Sequence, residues 1–474
     1  MRTMTETRDT TMLDKGGRSI VALMAALLVS IFAFQLNASM LSPALATMEH
    51  ELNTTSSQIG LTQTVFFTSA ALFSLFLPRL ADLVGRKKVL IGILLATVVG
   101  CAISAIAPNV TVLMIGRILQ GTSGPIVPMC LIMLHVRVTE DKKYAKLMAI
   151  LTSVNGGIAG VDAILGGWLA GTFGFRSVFW TMAIIAAGAV VLVFFAAEES
   201  TADDTPKMDW PGVICLGIAF VAAYVVTNEI QKLADANWLL IGGLVVLAAV
   251  FFVIFWQIEK RSKAPLVSTH YMKQRRTWGL LLTTLMTMTG VFAIMNGIVP
   301  ALAQDAESGV GLGADVVSFA TLTPYALVGL AFGPIAGILA SKFGYRMVLR
   351  AGMAVSIVGV LFGVYVANVP SVWALVVMSI ALGASYAGTV NIMLNGLGIV
   401  LSPKDNPGYL PGMNSGMFNL GAGLSYAILY MVMNSFAASN GAASGYASSM
   451  IACAVMLALA LACSFLIPKH EGQE

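Results

Sequence analysis

Charged residues make up only 11% of this 474-residue chain, less than half the ~25% of an ordinary soluble domain. A surface so poor in charge is not built for water, which excludes a string of soluble globular domains. The net charge of +4 comes from 27 basic and 23 acidic side chains; that balance lacks the basic excess of a nucleic-acid binder. Histidine is scarce too: His50, His135, His270 and His470 are scattered. The five cysteines, Cys101, Cys130, Cys215, Cys453 and Cys463, fall within apolar stretches without metal-ligand spacing. They imply neither a metal site nor a disulfide framework and read as small buried hydrophobes. No Gly-x-x-x-x-Gly-Lys phosphate loop is present, so the chain does not by itself burn ATP. No nucleophile–base constellation stands out, so no enzyme activity and no resident cofactor are expected.

What the chain has is apolar length. Hydrophobic residues make up 58% of it, in runs of about 20 that each suit a helix crossing a ~30 Å hydrocarbon core. The reading is an all-α polytopic membrane protein. Fourteen spans are predicted, near 19–41, 58–80, 89–107, 111–135, 144–171, 177–197, 211–229, 237–258, 278–303, 316–340, 347–368, 371–397, 408–436 and 446–467. With that layout all Lys and Arg except Arg117, Arg176 and Lys232 fall on one side. The positive-inside rule then puts both tails, 1–18 and 468–474, in the cytoplasm and the protein in the plasma membrane. The first run is too long for a signal-peptide core and is expected to be retained. All seven tryptophans (Trp168, Trp180, Trp210, Trp238, Trp256, Trp278, Trp373) sit near span ends, as an interfacial aromatic belt requires. Lipid is therefore one partner, and a monomer is expected.

The chain also repeats itself. Asp82-Leu83-Val84-Gly85-Arg86-Lys87-Lys88 joins spans two and three, and Ser341-Lys342-Phe343-Gly344-Tyr345-Arg346-Met347 joins spans ten and eleven. Aligned on Gly85 and Gly344, Ala81 matches Ala340 and Val89-Leu90 matches Val348-Leu349. A basic turn at this place in each half resembles the major facilitator superfamily. Two six-span halves leave spans seven and eight over, and the six-plus-two-plus-six plan is similar to its fourteen-span drug–proton antiporter branch. Lys207-Met208-Asp209-Trp210-Pro211-Gly212, opening span seven, also looks like that branch. The resemblance implies a major-facilitator-type fold. Its parts are an N-terminal bundle over 19–197, a linker with two extra helices over 198–277, and a C-terminal bundle over 278–467.

Candidate working residues follow. Gly85 permits a close reversal, and Arg86, Lys87 and Lys88 can anchor the turn on anionic headgroups. The resemblance adds a conformational latch at Asp82, Gly85 and Arg86, with Asp82 meeting a helix of the other half; the second copy, with Ser341 in place of the Asp, is expected to be weaker. Gly116-Arg117-Ile118-Leu119-Gln120-Gly121 is similar to the family's Arg-x-x-Gln-Gly signature, which implies proton coupling by Arg117. In span five the branch's Gly-Pro-x-x-Gly-Gly becomes Asp162-Ala163-Ile164-Leu165-Gly166-Gly167, with Asn155, Gly156, Gly157 and Gly160 upstream. Asp162 is the one acid placed deep within a span. A buried carboxyl is costly unless paired or protonated, which makes it a proton carrier candidate. Arg117 and Asp162 lie ~9 and ~13 Å from the same side at 1.5 Å per residue, so an ion pair between them is expected.

Span one carries Asn37 and Ser42 where the branch has an Asp and an Asn, which argues against a strictly cationic substrate. Gln35, Asn37, Gln63, Asn296, Tyr325, Asn391 and Asn395 are the polar groups expected to line a central cavity for an amphipathic small molecule. The reading is a secondary transporter working by alternating access, exporting amphipathic or drug-like molecules against proton flow. The alternative on the same fold is a symporter or uniporter for a specific metabolite. Protons and a small-molecule substrate are the implied partners, and the proton gradient the energy source.

Overall fold

The computed structural model describes residues 19–468 apart from 139, 141–142, 145–146, 149, 152–159, 202–206, 233–234, 263–264 and 404–407. Both tails, and with them the expected orientation of the termini, lie outside the described residues. So do Asn155, Gly156 and Gly157.

Thirteen described helices are long and apolar enough to cross a membrane. In predicted order they form span one (Ile20–Glu51), two (Ser56–Val84), three (Arg86–Ala105), four (Val110–Arg137), six (Phe175–Ala196), seven (Trp210–Ile230) and eight (Trp238–Arg261). The C-terminal set is span nine (Arg275–Gln304), ten (Ala314–Phe343), eleven (Tyr345–Asn368), twelve (Val372–Val400), thirteen (Tyr409–Asn440) and fourteen (Ala442–Ser464). Span five is described as a 13-residue apolar helix, Val161–Phe173. Six of the seven tryptophans are exposed near helix ends, from 37% for Trp278 to 80% for Trp373, as the belt predicts. All five cysteines are free, and Cys101, Cys130 and Cys453 are buried.

The duplication is written in the backbone. Spans two and three are separated by Gly85 alone (φ 127°), and spans ten and eleven by Gly344 alone (φ 82°). Single glycines at positive φ also separate spans five and six (Gly174, φ 79°) and thirteen and fourteen (Gly441, φ 87°). These are equivalent places in two six-span halves, and only glycine adopts such angles without strain. The basic residue two positions after each repeat glycine does the same job. Lys87 Nζ donates to Phe194 O (2.6 Å) near the end of span six, and Arg346 Nη1 to Ile467 O (3.0 Å) just beyond span fourteen. Cations here satisfy carbonyls that a helix end leaves without partners.

Spans two and thirteen run side by side along the seam between the halves, with Gly60 against Tyr430 and Gly423 against Thr64 and Thr68. Away from the basic turns the halves are tied further. Ser56 Oγ meets Asn434 Oδ1 at 2.9 Å, Ser318 Oγ donates to Ala163 O (2.9 Å) and Thr323 Oγ1 to Gly160 O (3.1 Å). The ion pairs Asp82–Arg86, Arg137–Glu198, Arg176–Glu51 and Lys232–Glu229 each lie within the N-terminal bundle and the linker.

Candidate substrate and proton site

Arg117 lies on span four, fully buried among neutral acceptors. Nη1 donates to Gln120 Oε1 (2.6 Å) and Nη2 to Gln63 Oε1 (2.9 Å). Both also approach Asn37 O, at 3.4 and 3.3 Å, and Nε approaches Thr62 O at 3.5 Å. The guanidinium lies over the Phe66 ring, 4.1 Å from its centroid, a cation–π contact that gains from desolvation. Gln120 is itself oriented by donating to Ser104 Oγ (2.9 Å) on span three. Gly116 packs against Gly100 and Ser104, and Gly121 against Phe66 and Ser69. In the Arg-x-x-Gln-Gly stretch the arginine thus brings the charge, the glutamine orients it, and the glycine lets the neighbouring helix come close.

Asp162 is also buried, at 4% exposure, but its partner is not Arg117. The hydroxyl of Ser39 donates to Asp162 Oδ2, and Oδ1 is buried without a partner. The expected Arg117–Asp162 ion pair is therefore not formed. The two side chains do lie at comparable depth, but span one passes between them: Asn37 presents its carbonyl to Arg117, and Ser39 turns its hydroxyl to Asp162. Gln35 joins the second group by donating to Ser39 Oγ (3.3 Å). Asn37 Nδ2 returns to Ala33 O (2.7 Å), and its Oδ1 meets Cys101 Sγ at 3.5 Å.

Three helices of the C-terminal half are irregular, and two of them, spans nine and ten, meet the N-terminal half nearby. Span nine has a π-helical turn over Ile294–Ile298, and span twelve a longer one over Gly383–Val390. Span ten is broken at Thr321 (φ −126°, ψ −86°), between Ala314–Ala320 and Leu322–Phe343. Such turns recur at functional sites, and non-helical backbone at membrane depth is tolerated where it is buried in protein or lines a cavity. Asn296 lies in the first π turn, and its carbonyl accepts from Tyr426 Oη (3.0 Å). Tyr325 follows the break in span ten, its backbone close against Gly383. Asn391 and Asn395 bond each other (2.8 Å), and Asn395 is exposed. Neither makes a side-chain hydrogen bond to Gln63 or Asn296 among the described residues.

Sequence reasoning missed an aromatic group at the seam. Phe67 of span two lies 5.0 Å from Phe292 of span nine and stacks on Tyr426 of span thirteen at 6.2 Å; Tyr430 follows at 5.7 Å. The available signal was i,i+4 spacing, with Gln63 before Phe67 and Tyr426 before Tyr430.

At the basic turn, Asp82 Oδ1 pairs with Arg86 Nε at 2.7 Å within its own half. Glu199, just after span six, instead caps span three: its carboxylate accepts from the Lys87 N–H (3.0 Å) and the Lys88 N–H (3.2 Å). Contact between Asp82 and the other half is not made in this conformation. In the downstream copy Ser341 Oγ simply returns to Ile338 O (2.7 Å).

Two six-span halves, an inserted pair and a polar seam define a secondary-transporter architecture, and the family model of the Major Facilitator Superfamily matches residues 27–320. The chain belongs to that superfamily. A uridine/deoxyuridine transporter of Lactococcus lactis subsp. cremoris (strain MG1363) is 65% identical to it over 415 residues, spanning 87% of this chain and 86% of that one. Multidrug resistance protein 3 of Bacillus subtilis (strain 168) is 24% identical over 284 residues, 60% of this chain and 54% of that one. Among solved structures, the nucleoside transporter NupG aligns with a TM-score of 0.61 at 14% identity, over 94% of this chain and 100% of that one. A POT family transporter in complex with 5-aminolevulinic acid aligns with a TM-score of 0.67 at 14% identity, over 94% and 96%. At that identity the two structures speak for the fold alone.

Proposed function

We propose that the protein carries uridine and related pyrimidine nucleosides across the cell membrane by alternating access, with protons entering alongside through Asp162. The observation that carries this reading is the 65% identity to a uridine/deoxyuridine transporter across 87% of the chain. Drug efflux, the first reading of the sequence, draws its support from relatives at 24% and 25% identity, and the specific-metabolite alternative replaces it.

The seam suits such a substrate. A nucleoside is uncharged at neutral pH and offers a flat base with ring donors and acceptors plus sugar hydroxyls. Phe67, Phe292 and Tyr426 gather at the seam the ring type on which bases stack, packed against one another in this conformation. Gln63, whose oxygen accepts from Arg117, retains amide N–H capacity, and Asn296, whose amide nitrogen donates to Phe292 O (3.0 Å), retains its oxygen, so together they offer a donor and an acceptor to a uracil edge. A cationic drug would instead call for embedded acids.

Asp162 is a buried acid between the spans, with one unpartnered oxygen and, among the described residues, no cation within ion-pair distance. A bare buried carboxylate costs several kcal/mol, so the neutral, proton-loaded form fits this conformation. With the basic turns read as cytoplasmic, the Asp82 latch, not closed onto the other half here, is assigned to the outward-facing state. The latch then acts by shifting a population and makes no contact with substrate.

Radiolabelled uridine uptake in a host lacking its own nucleoside uptake tests the reading. Expression should confer saturable uptake that excess deoxyuridine suppresses. Raised drug resistance with no gain in uridine uptake would overturn it.

A further inference from the structure

The stretch Lys207–Gly212 has no part in the site above, yet it opens onto a second buried acid. Asp209 caps span seven, accepting the Gly212 N–H on Oδ1 at 3.0 Å. Glu259, at the end of span eight, is 1% exposed and accepts the Val267 N–H on Oε2 at 2.9 Å. Each carboxyl group thus spends one oxygen on the backbone. The other oxygens, Asp209 Oδ2 and Glu259 Oε1, are both buried without a partner. They converge on one spot: a methyl group added at Gly212 would stand 2.9 Å from the first and 3.1 Å from the second.

Arg79 of span two reaches the same junction. It donates to Lys207 O (2.7 Å) and Pro265 O (3.1 Å), the two strips of chain that lead into Asp209 and away from Glu259, and it interacts electrostatically with both acids. From span thirteen, Tyr409 interacts electrostatically with Glu259, lies tilted against the Tyr271 ring (4.9 Å) and donates to Ser268 O (3.2 Å). His270 lies beyond Tyr271. Among the described residues one arginine therefore answers two carboxyl groups, and two orphan acceptors turned toward one spot repel unless a donor lies between them.

We propose that Asp209 and Glu259 form a second proton-binding site, distinct from Asp162, which holds one proton between Asp209 Oδ2 and Glu259 Oε1, directly or across one water. One proton shared by two carboxyls leaves a single negative charge, which Arg79 balances. The neutral triad fastens the inserted helices, spans seven and eight, to span two. The Asp-Trp-Pro-Gly stretch then has a physical reading: Asp209 caps and shares the proton, Pro211 fits the first helical turn, and Gly212 leaves room for the two oxygens to meet. When the proton leaves, two like charges face each other across that room and the junction loosens.

The sign follows from linkage. The folded state binds a proton that the unfolded chain would already have released, so stability falls as pH rises from the ordinary carboxylate range until the shared proton is lost. The test is made on full-length protein in the Asp162→Asn background, so that Asp162 contributes nothing to the readout. Thermal unfolding is measured from about pH 5 to about pH 8, together with the infrared carbonyl band of protonated carboxylic acid. The parent should lose midpoint temperature as pH rises and keep the band at neutral pH. Glu259→Gln keeps the acceptor for Val267 and supplies an N–H to Asp209, so it should abolish both the pH slope and the band. Asp209→Asn, which still caps a helix, should do the same and serves if the first variant folds poorly. An unchanged slope and a retained band in either folded variant would overturn the proposal. Neither readout involves substrate, so the result is independent of the nucleoside reading.

Discussion

At the residue scale, the instructive case is Arg117. An arginine at mid-membrane costs ~2.5–3.5 kcal/mol on insertion scales, and a carboxylate is the obvious remedy. The protein uses amides, carbonyls and a ring instead, drawn from spans one, two and four. This leaves Asp162 without a fixed counter-charge among the described residues, which suits the proposed role of gaining and losing a proton. The two side chains should then contribute almost independently to stability. In a double-mutant cycle of Arg117→Ala and Asp162→Asn, thermal or denaturant unfolding should give a coupling within about 0.5 kcal/mol. A direct pair would give several kcal/mol, because either single change would strand a buried charge. The individual candidates were legible because Arg, Asp, Gln and Asn are rare inside spans. Their pairing was not, because depth along a helix says nothing about which helix stands between two others.

At the element scale, the apolar runs and the basic turn exposed the spans and the duplication, and the single-glycine turns at Gly85 and Gly344 match the alignment that the sequence suggested. The interruptions stayed hidden. Nothing in Ile294-Met295-Asn296-Gly297-Ile298 distinguishes a π turn from an α turn, since both bury the same apolar side chains; the neighbouring helices decide. The break in span ten is flanked by Ser318 and Thr323, whose hydroxyls donate to Ala163 O and Gly160 O on either side of Asp162. These two bonds tie the halves together next to Asp162, the proposed proton site. At ~0.6 kcal/mol for each interhelical bond, Ser318→Ala with Thr323→Ala should shift the balance toward the opposite-facing state by about sevenfold. A cysteine placed at Asp315, in a background without the native cysteines, should label correspondingly faster with an impermeant maleimide applied from that face. Unchanged labelling would mean that the two hydroxyls do not hold this gate.

At the scale of the whole molecule, composition alone excluded a soluble protein, and the fold followed from span count and repeat. Substrate class did not. Uncharged amides and buried rings serve a drug pocket and a nucleoside pocket alike, and the seam rings come from spans two, nine and thirteen, which no local pattern links. The central claim is that nucleoside movement is tied to proton movement through Asp162. It is tested most directly with purified protein in liposomes, following radiolabelled uridine under an imposed pH gradient. The account predicts that wild-type protein accumulates uridine when the outside is more acidic than the lumen. Asp162→Asn should still exchange labelled for unlabelled uridine but should not accumulate it. Equal accumulation by Asp162→Asn, or wild-type uridine movement that ignores the gradient, would contradict it.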